Sequence, residues 1–296
     1  MIYYFRVFKL CHFVPLSLCH FFVKMNNLNY KPWDRDELNF LLKNKWFDTL
    51  PLFLESVEST NTYAKELCRN GFPHGTVVIA ECQTQGRGRM SRKWFSPPGL
   101  GIWMSILLIP PSLSFLPAAL NFIPTLSVVE TINKITSDTG EIKWPNDVLV
   151  NNKKICGVLS EQCSNGQKYN MVVLGIGINV NQTLSDFPAE LEDSATSFKM
   201  IGGQNFSREE ILVMVLENIR IYYNFIQKEG IGIIYQQWLK NCGTLGRNVR
   251  IVTGSQSFYG IAEQIDETGR LYIRTPDNRQ LQIVAGDLEY DVTISS

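Results

Sequence analysis

The 296-residue chain contains only three histidines, and this scarcity limits the chemistry that it can perform. His12 and His20 lie near the N-terminus, and His74 lies in a predicted turn over residues 71–75. A hydrolase that activates a serine or cysteine nucleophile with a histidine base has almost no candidate residue here. We therefore expect a reaction that needs no histidine.

Paired cysteines are also missing, because none of the seven cysteines forms a CxxC motif. This pattern predicts neither a zinc site nor a disulfide framework. Cys156 and Cys163 fall in strand-like segments and are predicted to be buried thiols. Together these features indicate a reducing compartment, and we expect a cytoplasmic protein.

The chain has no excess of either charge, since 28 lysines and arginines balance 28 aspartates and glutamates. Proteins that bind DNA or RNA over a broad surface normally carry an excess of basic residues. We therefore expect no nucleic-acid partner. Positive charge is concentrated locally instead, which indicates a small anionic ligand.

No uninterrupted apolar run is long enough to span a membrane. Residues 1–23 are aromatic and apolar, but Arg6, Lys9 and Pro15 interrupt them, and a small-residue cleavage site is missing. We interpret residues 1–24 as an extension outside the fold, with the working protein beginning at Met25. A targeting or membrane-proximal extension is the alternative. We expect no stable membrane association.

What the sequence does contain is a basic, glycine-rich segment, GRGRMSRKW, at residues 86–94, which we call the basic loop. Predicted strands over residues 76–80 and 100–109 flank it. Glycines let a ligand approach the backbone, arginines bind phosphate or carboxylate through two hydrogen bonds, and Trp94 could stack on a base. The basic loop therefore predicts a ligand with an anion and a ring. A solvated surface loop is the alternative.

Three further segments carry candidate binding residues. In KWPND, at residues 143–147, Lys143 suits a phosphate and Asp147 suits Mg²⁺ or an arginine; a capped turn with a surface lysine is the alternative. Lys154 begins an apolar strand and so predicts an anionic partner, whereas Lys153 is equally consistent with a solvated hairpin turn. The glycines of residues 175–179 predict close approach by a ligand or by a neighbouring strand.

The periodicity predicts an α+β fold with a small second domain. From residue 244 the chain has short, regularly spaced strands typical of a small barrel, so we place a domain boundary near residues 242–243. The predicted domains are residues 25–242 and 243–296. Helices are predicted over residues 34–47, 63–69, 114–135, 206–227 and 233–241, and strands over 52–57, 142–144, 148–150, 155–161 and 171–181.

Taken in chain order, six segments resemble those of biotin protein ligases. They are ESTN at 58–61, AECQ at 80–83, the basic loop at 86–94, KWPND at 143–147, KKICG at 153–157 and GIGIN at 175–179. The resemblance covers roughly residues 52–296. It implies the class II synthetase-like catalytic fold of biotin/lipoate ligases, a mixed sheet flanked by helices, with a C-terminal SH3-like barrel.

The resemblance also implies an activity. Members of this family form biotinyl-5′-AMP from biotin and Mg-ATP, and then transfer biotin to a lysine of a biotin carboxyl carrier protein. By default this partner belongs to acetyl-CoA carboxylase, and some relatives form homodimers. A lipoate or octanoate ligase, which shares the fold, is the rival interpretation. The basic loop and KWPND favour biotin.

The matched motifs assign residues to roles by resemblance. Biotin-binding positions are Ser59, Thr60, Asn61, Gln83, Arg87, Gly88, Arg89 and Lys154. ATP-binding positions are Arg92, Trp94, Lys143, Asn146, Asp147 and Asn179, with Trp94 towards the adenine. Arg89 and Lys154 are expected to be catalytic, and Asp147 is the candidate magnesium ligand.

Two features depart from the family pattern. Ser91 stands where the family loop often has glycine, and serine fits there unless the position requires a positive φ. Some relatives also carry an N-terminal DNA-binding domain and repress transcription. Residues 25–51 are too few for such a domain, so we expect no repressor role.

Overall fold

The computed structural model describes residues 31–43, 51–110, 117–164 and 170–290. Residues from Pro32 onward form one compact unit. Seven strands build its larger sheet: β1 (Leu52–Val57), β2 (Val77–Gln83), β3 (Gly101–Leu108), β4 (Glu141–Lys143), β5 (Asp147–Val150), β6 (Lys153–Ser164) and β7 (Asn170–Asn179). Their order is β1-β2-β3-β7-β6-β5-β4. β1 and β2 are parallel and the other pairs are antiparallel, so the sheet is mixed, as predicted.

Seven helices lie in the described residues: α1 (Arg35–Leu41), α2 (Thr60–Arg69), α3 (Pro117–Leu120), α4 (Phe122–Ile135), α5 (Phe198–Gly202), α6 (Arg208–Glu229) and α7 (Gly232–Lys240). Three predictions need correction. The helix expected over 34–47 is α1, which ends at Leu41. α2 begins three residues earlier than predicted, and the single helix expected over 114–135 is two helices divided near Asn121. Residues 1–30, 44–47, 114–116 and 291–296 of the predicted segments lie outside the described residues.

The two faces of the sheet have different coverings, which follow from the alternation of side chains along each strand. On β2, Val77 and Ile79 belong to the large core that includes α4, α6 and α7, whereas Val78 belongs to a small core beneath α2. On β7, Val172 and Val173 divide in the same way. α2 covers only part of its face, and residues on the rest of that face line a cavity.

The C-terminal residues form a five-stranded antiparallel sheet, which confirms the predicted small all-β element. Its strands are β8 (Asn248–Thr253), β9 (Gln256–Ile265), β10 (Leu271–Arg274), β11 (Gln280–Ile283) and β12 (Asp287–Tyr290), in the order β11-β10-β9-β8-β12. The sequence analysis missed β12. The predicted boundary at residues 242–243 stays a prediction.

The cysteines require a correction. Cys156 is a buried free thiol, as predicted, but Cys163 is bonded to Cys68. Cys68 lies in the last turn of α2, and Cys163 lies near the end of β6. The two residues are 95 positions apart, and only the packing of α2 against β6 brings their Cα atoms within 6.6 Å. The prediction of a buried thiol at Cys163 was therefore wrong.

A buried ion pair fastens α6 to β2. Arg208 Nη1 lies 3.0 Å from Glu81 Oε2, and both side chains are less than a tenth exposed. The Arg208 guanidinium also lies over the Trp33 ring, and Glu81 Oε1 accepts from the Trp33 backbone N–H at 2.6 Å. Removing one member would leave the other charge buried without its partner.

We expect Arg208→Met to lower the free energy of unfolding by about 3–5 kcal/mol, because the buried Glu81 carboxyl group would lose its ion-pair partner. Arg250→Met is the control, since Arg250 pairs with Glu289 on the surface and such pairs contribute at most about 1 kcal/mol. Urea unfolding of both variants measures the difference. Equal losses of unfolding free energy would show that the buried Arg208–Glu81 pair contributes no more to stability than the surface pair.

Within the residues that the structure describes, no helix combines the length and the apolar character needed to cross a membrane.

Candidate functional site

The site lies on the face of the large sheet that α2 leaves uncovered. Three rows of paired residues cross strands β3, β7 and β6 on this face. Beneath α2 the row is Leu107, Val173 and Glu161; the next is Ser105, Gly175 and Leu159; the third is Trp103, Gly177 and Gly157. The small residues of the second and third rows leave room above the sheet, where a cavity of about 390 Å³ opens.

All fourteen site residues named from the sequence line this one cavity: Ser59, Thr60, Asn61, Gln83, Arg87, Gly88, Arg89, Arg92, Trp94, Lys143, Asn146, Asp147, Lys154 and Asn179. They come from segments separated by up to 120 residues. The structure thus places them together, while their individual roles stay predictions.

The early start of α2 places three of these residues in the cavity wall. Ser59 is the N-cap, and its hydroxyl makes no capping hydrogen bond. The Thr60 backbone N–H donates to Gln83 Oε1 at 2.9 Å. Ser105, fully buried below them, lies 2.7 Å from Thr60 Oγ1 and 2.6 Å from Asn61 Oδ1. We call Ser59, Thr60, Asn61 and Gln83 the neutral end of the cavity.

Glycines make room for two side chains that cover the sheet. A Cβ atom at Gly175 would lie 2.1 Å from Asn61 Oδ1, and one at Gly177 would lie 2.3 Å from Trp94 Nε1. The sequence analysis left open whether a ligand or a strand approaches these glycines. The structure shows that side chains of α2 and the basic loop do so.

The basic loop folds back on itself as a tight turn. Gly88 N donates to Arg92 O at 2.7 Å, and Trp94 N donates to Gly86 O at 2.8 Å. The Trp94 ring rests on Gly157 and Gly177, and Lys154 Nζ lies 5.1 Å from its centroid. The expected stacking on a base stays a prediction.

The opposite part of the cavity carries positive charge. We call Arg89, Arg92, Lys143 and Lys154 its cationic end. Lys154 Nζ lies 2.7 Å from Asp147 Oδ1, and Arg89 donates to Asn146 Oδ1 at 3.2 Å. Burial lowers the pKa of the Lys143 ammonium and of the Arg89 guanidinium. Because burial disfavours these charges, an anion that enters here regains electrostatic energy.

Buried amides hold the cationic end in place. Asn146 Nδ2 donates to Val158 O at 2.6 Å, which directs its Oδ1 towards Arg89. Asn179 Nδ2 donates to Thr196 O at 3.0 Å. Lys153, which the sequence analysis left undecided, donates to Glu192 O at 3.2 Å and does not line the cavity.

The arrangement fits Mg²⁺ as a partner of a phosphate ligand. The described residues contain no cluster of three or more histidines, cysteines, aspartates or glutamates that could hold a metal alone. Mg²⁺ usually takes one or two protein carboxylates and completes its shell with phosphates and water. Asp147, at the cationic end, offers one such carboxylate.

The residues near the cavity that were not predicted from the sequence include Ser105, Glu161, Asp287 and Tyr290. Glu161 shares its strand face with Gly157 and Leu159, so a charged residue on the inner face of a predicted strand was an available signal. Asp287 and Tyr290 belong to the missed strand β12. Arg92 Nη2 lies 2.5 Å from Asp287 Oδ2, and Lys143 Nζ lies 4.8 Å from the centroid of the Tyr290 ring.

Ser91 occupies a conformation that disfavours side chains. Its φ is 62°, and that of Met90 is 51°. Position 91 therefore has the positive φ at which serine was expected to fit poorly. We expect Ser91→Gly to leave the free energy of unfolding unchanged or raise it by up to about 1 kcal/mol, because the left-handed conformation costs about 1–2 kcal/mol with a Cβ. Ser91→Val should lower it by at least about 1 kcal/mol. Urea unfolding compares the variants, and a more stable valine variant would contradict this geometry.

The Arg92–Asp287 pair connects the basic loop to β12. We expect Asp287→Ala to increase tryptic cleavage within residues 86–94 by up to about fivefold, because an exposed pair contributes at most about 1 kcal/mol to loop closure. Glu289→Ala is the control on the same strand, since Glu289 pairs with Arg250 instead. If both variants are cleaved equally fast, Asp287 does not hold the loop.

Comparisons with known proteins show which family the chain resembles over most of its length. Residues 53–179 match the biotin/lipoate A/B protein ligase family, and residues 244–289 match the biotin protein ligase C-terminal domain. The chain is 36% identical over 253 residues to the bifunctional ligase/repressor BirA of Bacillus subtilis (strain 168), covering 86% of this chain and 78% of that protein. It is 30% identical over 235 residues to biotin--[acetyl-CoA-carboxylase] ligase of Paracoccus denitrificans, covering 77% of this chain and 95% of that protein.

Among solved structures, a biotin protein ligase from Aquifex aeolicus in complex with biotin and ATP superposes with a TM-score of 0.70 at 32% identity. The superposition covers 81% of this chain and 98% of that one.

Proposed function

The chain belongs to the biotin protein ligase family, and on that premise we propose that it activates biotin with ATP and transfers it to a lysine of a carrier protein. The Aquifex aeolicus relative binds biotin and ATP, and the Paracoccus denitrificans relative is named for acetyl-CoA carboxylase. The expected acceptor is therefore the biotin carboxyl carrier protein of that enzyme or of another biotin-dependent carboxylase.

One observation carries the proposal: a single cavity joins a neutral, hydrogen-bonding end to a cationic end. Along β7 the cavity floor runs from Gly175 to Asn179, a distance of about 13 Å at the usual rise of a strand. A ligand with a polar, uncharged ring and a carboxylate tail matches this order of groups. Biotin has both, and its carboxylate would reach Arg89 and Lys154.

The first half of the reaction joins two anions. A biotin carboxylate oxygen attacks the α-phosphorus of ATP, the P–O bond to the β-phosphate breaks, and diphosphate leaves. Arg89, Lys143 and Lys154 would neutralise the charge that develops on the phosphoryl oxygens, while the cavity walls hold the two reactants in line. The nucleophile belongs to the substrate, which explains how the site works without a histidine.

Magnesium would be held by Asp147 together with the ATP phosphates. When bound, it would neutralise phosphate charge and orient the diphosphate leaving group. The side-chain amides of Asn146 and Asn179 donate hydrogen bonds to backbone carbonyls, and these bonds position the cavity wall in this region.

In the second half, the neutral amine of the acceptor lysine attacks the acyl carbon of biotinyl-AMP. The C–O bond to AMP breaks, AMP leaves with its electron pair, and the amine loses a proton as the amide forms. The basic loop lies beside the cavity, where closure would exclude water from the adenylate.

The neutral end favours biotin over lipoate. Thr60, Asn61 and Gln83 present hydrogen-bonding groups that a ureido ring can satisfy. The dithiolane ring of lipoate has no comparable donors or acceptors and would gain no hydrogen bond from this polar wall, so the neutral end would give it less binding energy than it gives a ureido ring. Lipoate ligation is thus the weaker alternative.

The test is ATP-dependent transfer of labelled biotin by the full chain to a recombinant biotin carboxyl carrier domain. Lipoate with a lipoyl acceptor domain runs in parallel, and a carrier variant with arginine at the acceptor lysine is the negative control. We expect biotin transfer that requires Mg²⁺ and the acceptor lysine. Transfer of lipoate alone would show that lipoate, and not biotin, is the substrate. Transfer of neither compound would contradict the proposed ligase function.

Homodimer formation, cytoplasmic location and the expected lack of a repressor role stay predictions. Sedimentation of the full chain with and without biotinyl-AMP tests the homodimer. Sequence-specific retention of operator DNA by the purified protein would contradict the expected lack of repression.

A further inference from the structure

Glu161 collects three donors beside the neutral end of the cavity. Its Oε1 lies 2.5 Å from Lys65 Nζ. Its Oε2 accepts from Asn61 Nδ2 at 2.8 Å and from Arg87 Nη2 at 3.0 Å. One carboxylate on β6 therefore connects the first turn of α2 with the basic loop, two elements that both line the cavity.

The carboxylate is ionised at neutral pH. Burial alone raises the pKa of Glu161, but the hydrogen bonds from Lys65 and Asn61 and the charge of Arg87 outweigh it, so that the pKa lies below its usual value. An ionised carboxylate only accepts hydrogen bonds. It therefore fixes which end of a neighbouring amide faces it.

That constraint determines the orientation of Asn61. The Nδ2 atom faces two acceptors, Glu161 Oε2 and the Leu159 carbonyl at 3.2 Å, so Oδ1 must face Ser105. Asn61 also lies directly above Gly175, which confines the amide.

The direction of hydrogen bonding is also defined at the buried hydroxyl groups next to Asn61. The Ser105 hydroxyl has one hydrogen and lies 2.6 Å from Asn61 Oδ1, which cannot donate. The Ser105 hydroxyl faces two acceptors, Asn61 Oδ1 and Thr60 Oγ1, because the Thr60 hydroxyl directs its own hydrogen to Gln83 Oε1. Thr60 in turn contacts Gln83, another member of the neutral end. Glu161 and the Leu159 carbonyl thus fix the orientation of the Asn61 amide at the neutral end.

We propose that Glu161 is a positioning residue for biotin, which fixes the Asn61 amide and holds Arg87 beside the cavity before the ligand binds. The proposal rests on the proposed function. A neutral amide at position 161 weakens the shorter of the two hydrogen bonds that hold Asn61 Nδ2 and leaves the Leu159 carbonyl as its remaining firm acceptor, and Arg87 loses its ionic partner. Binding of the ring would weaken, while the cationic end would keep its geometry.

The test is calorimetric titration of biotin, without ATP, into the wild-type chain and the Glu161→Gln variant. We expect the variant to bind biotin at least about tenfold more weakly, as for loss of a hydrogen bond to a charged group. In steady-state transfer, the KM for biotin should rise by a similar factor, with kcat and the KM for ATP within about twofold of wild type. Glu263→Gln is the matched control, because Glu263 makes a comparable pair with Arg274 in the C-terminal sheet.

Thermal melting separates positioning from a folding defect. Equal biotin affinity in wild type and Glu161→Gln would overturn this proposal alone. A variant that loses biotin and ATP binding together, with a lowered melting temperature, would also overturn it by showing a structural role. A wild-type chain that binds no biotin would overturn the proposed function itself, and this inference with it.

Discussion

Lys154→Ala is expected to slow formation of biotinyl-AMP by about 10²–10³-fold, the usual effect of removing one group that stabilises charge in a transition state. The Lys154 ammonium lies 2.7 Å from Asp147 Oδ1 and 5.1 Å from the centroid of Trp94. Its side chain also passes over Gly157, where a Cβ atom would lie 3.0 Å from Cε. The charge is therefore held in a defined place at the cationic end, and alanine would remove it without filling that place.

Lys153→Ala provides the control from the neighbouring position. Lys153 donates to the Glu192 carbonyl and lies outside the cavity wall, so we expect its loss to change the rate by less than about twofold. Single-turnover formation of biotinyl-AMP measures both variants under equal enzyme and ATP concentrations. Equal rates for Lys154→Ala and Lys153→Ala would remove Lys154 from the reaction.

Gly175→Ala is expected to abolish measurable biotin binding. The new Cβ atom would lie 2.1 Å from Asn61 Oδ1 and 2.7 Å from Asn61 Cγ, distances at which something must move. The buried Asn61 has little freedom to yield, because it lies in the first turn of α2 and its Nδ2 is bonded to Glu161. Displacement of this side chain would disrupt the neutral end. Overpacking should also lower the free energy of unfolding by about 1–3 kcal/mol.

Gly232→Ala is the matched control for that substitution. Gly232 is the first residue of α7, lacks a positive φ, and has open space within 4 Å of the position that a Cβ atom would take. Alanine there should leave biotin binding unchanged. Calorimetric titration with biotin and urea unfolding test both variants. Wild-type affinity in Gly175→Ala would show that biotin does not use the neutral end.

Much of the site was accessible from the sequence, because its chemistry is carried by short, contiguous segments. The basic loop, KWPND and the glycines of residues 175–179 each contain the residue types that an anionic ligand requires, and all of them line the cavity. The alternation of buried residues along β2 and β7 likewise follows from the strand periodicity. Local chemistry and periodicity thus indicated the α+β fold, the basic loop, Lys143, Asp147 and Lys154, whereas the resemblance to biotin protein ligases supplied the remaining candidate residues.

The errors fall where distant segments meet. The start of α2 at Thr60 depends on Gln83, which accepts from the Thr60 backbone N–H across 23 residues. The bond between Cys68 and Cys163 requires α2 to pack on β6. Neither contact can be predicted from the residues that neighbour it in the sequence.

The sequence alone determined which residues this protein offers to a ligand; the tertiary structure decided how they are held. Strand order places Ser105, Gly175 and Leu159 in one row, although they come from three separate strands. That row sets Asn61 above Gly175, and the adjacent row places Glu161 within hydrogen-bonding distance of both Asn61 and Arg87. The physical reason is that side-chain periodicity fixes the face of each strand on which a residue lies. Which strands become neighbours, and at what register, depends on contacts between residues far apart in the chain.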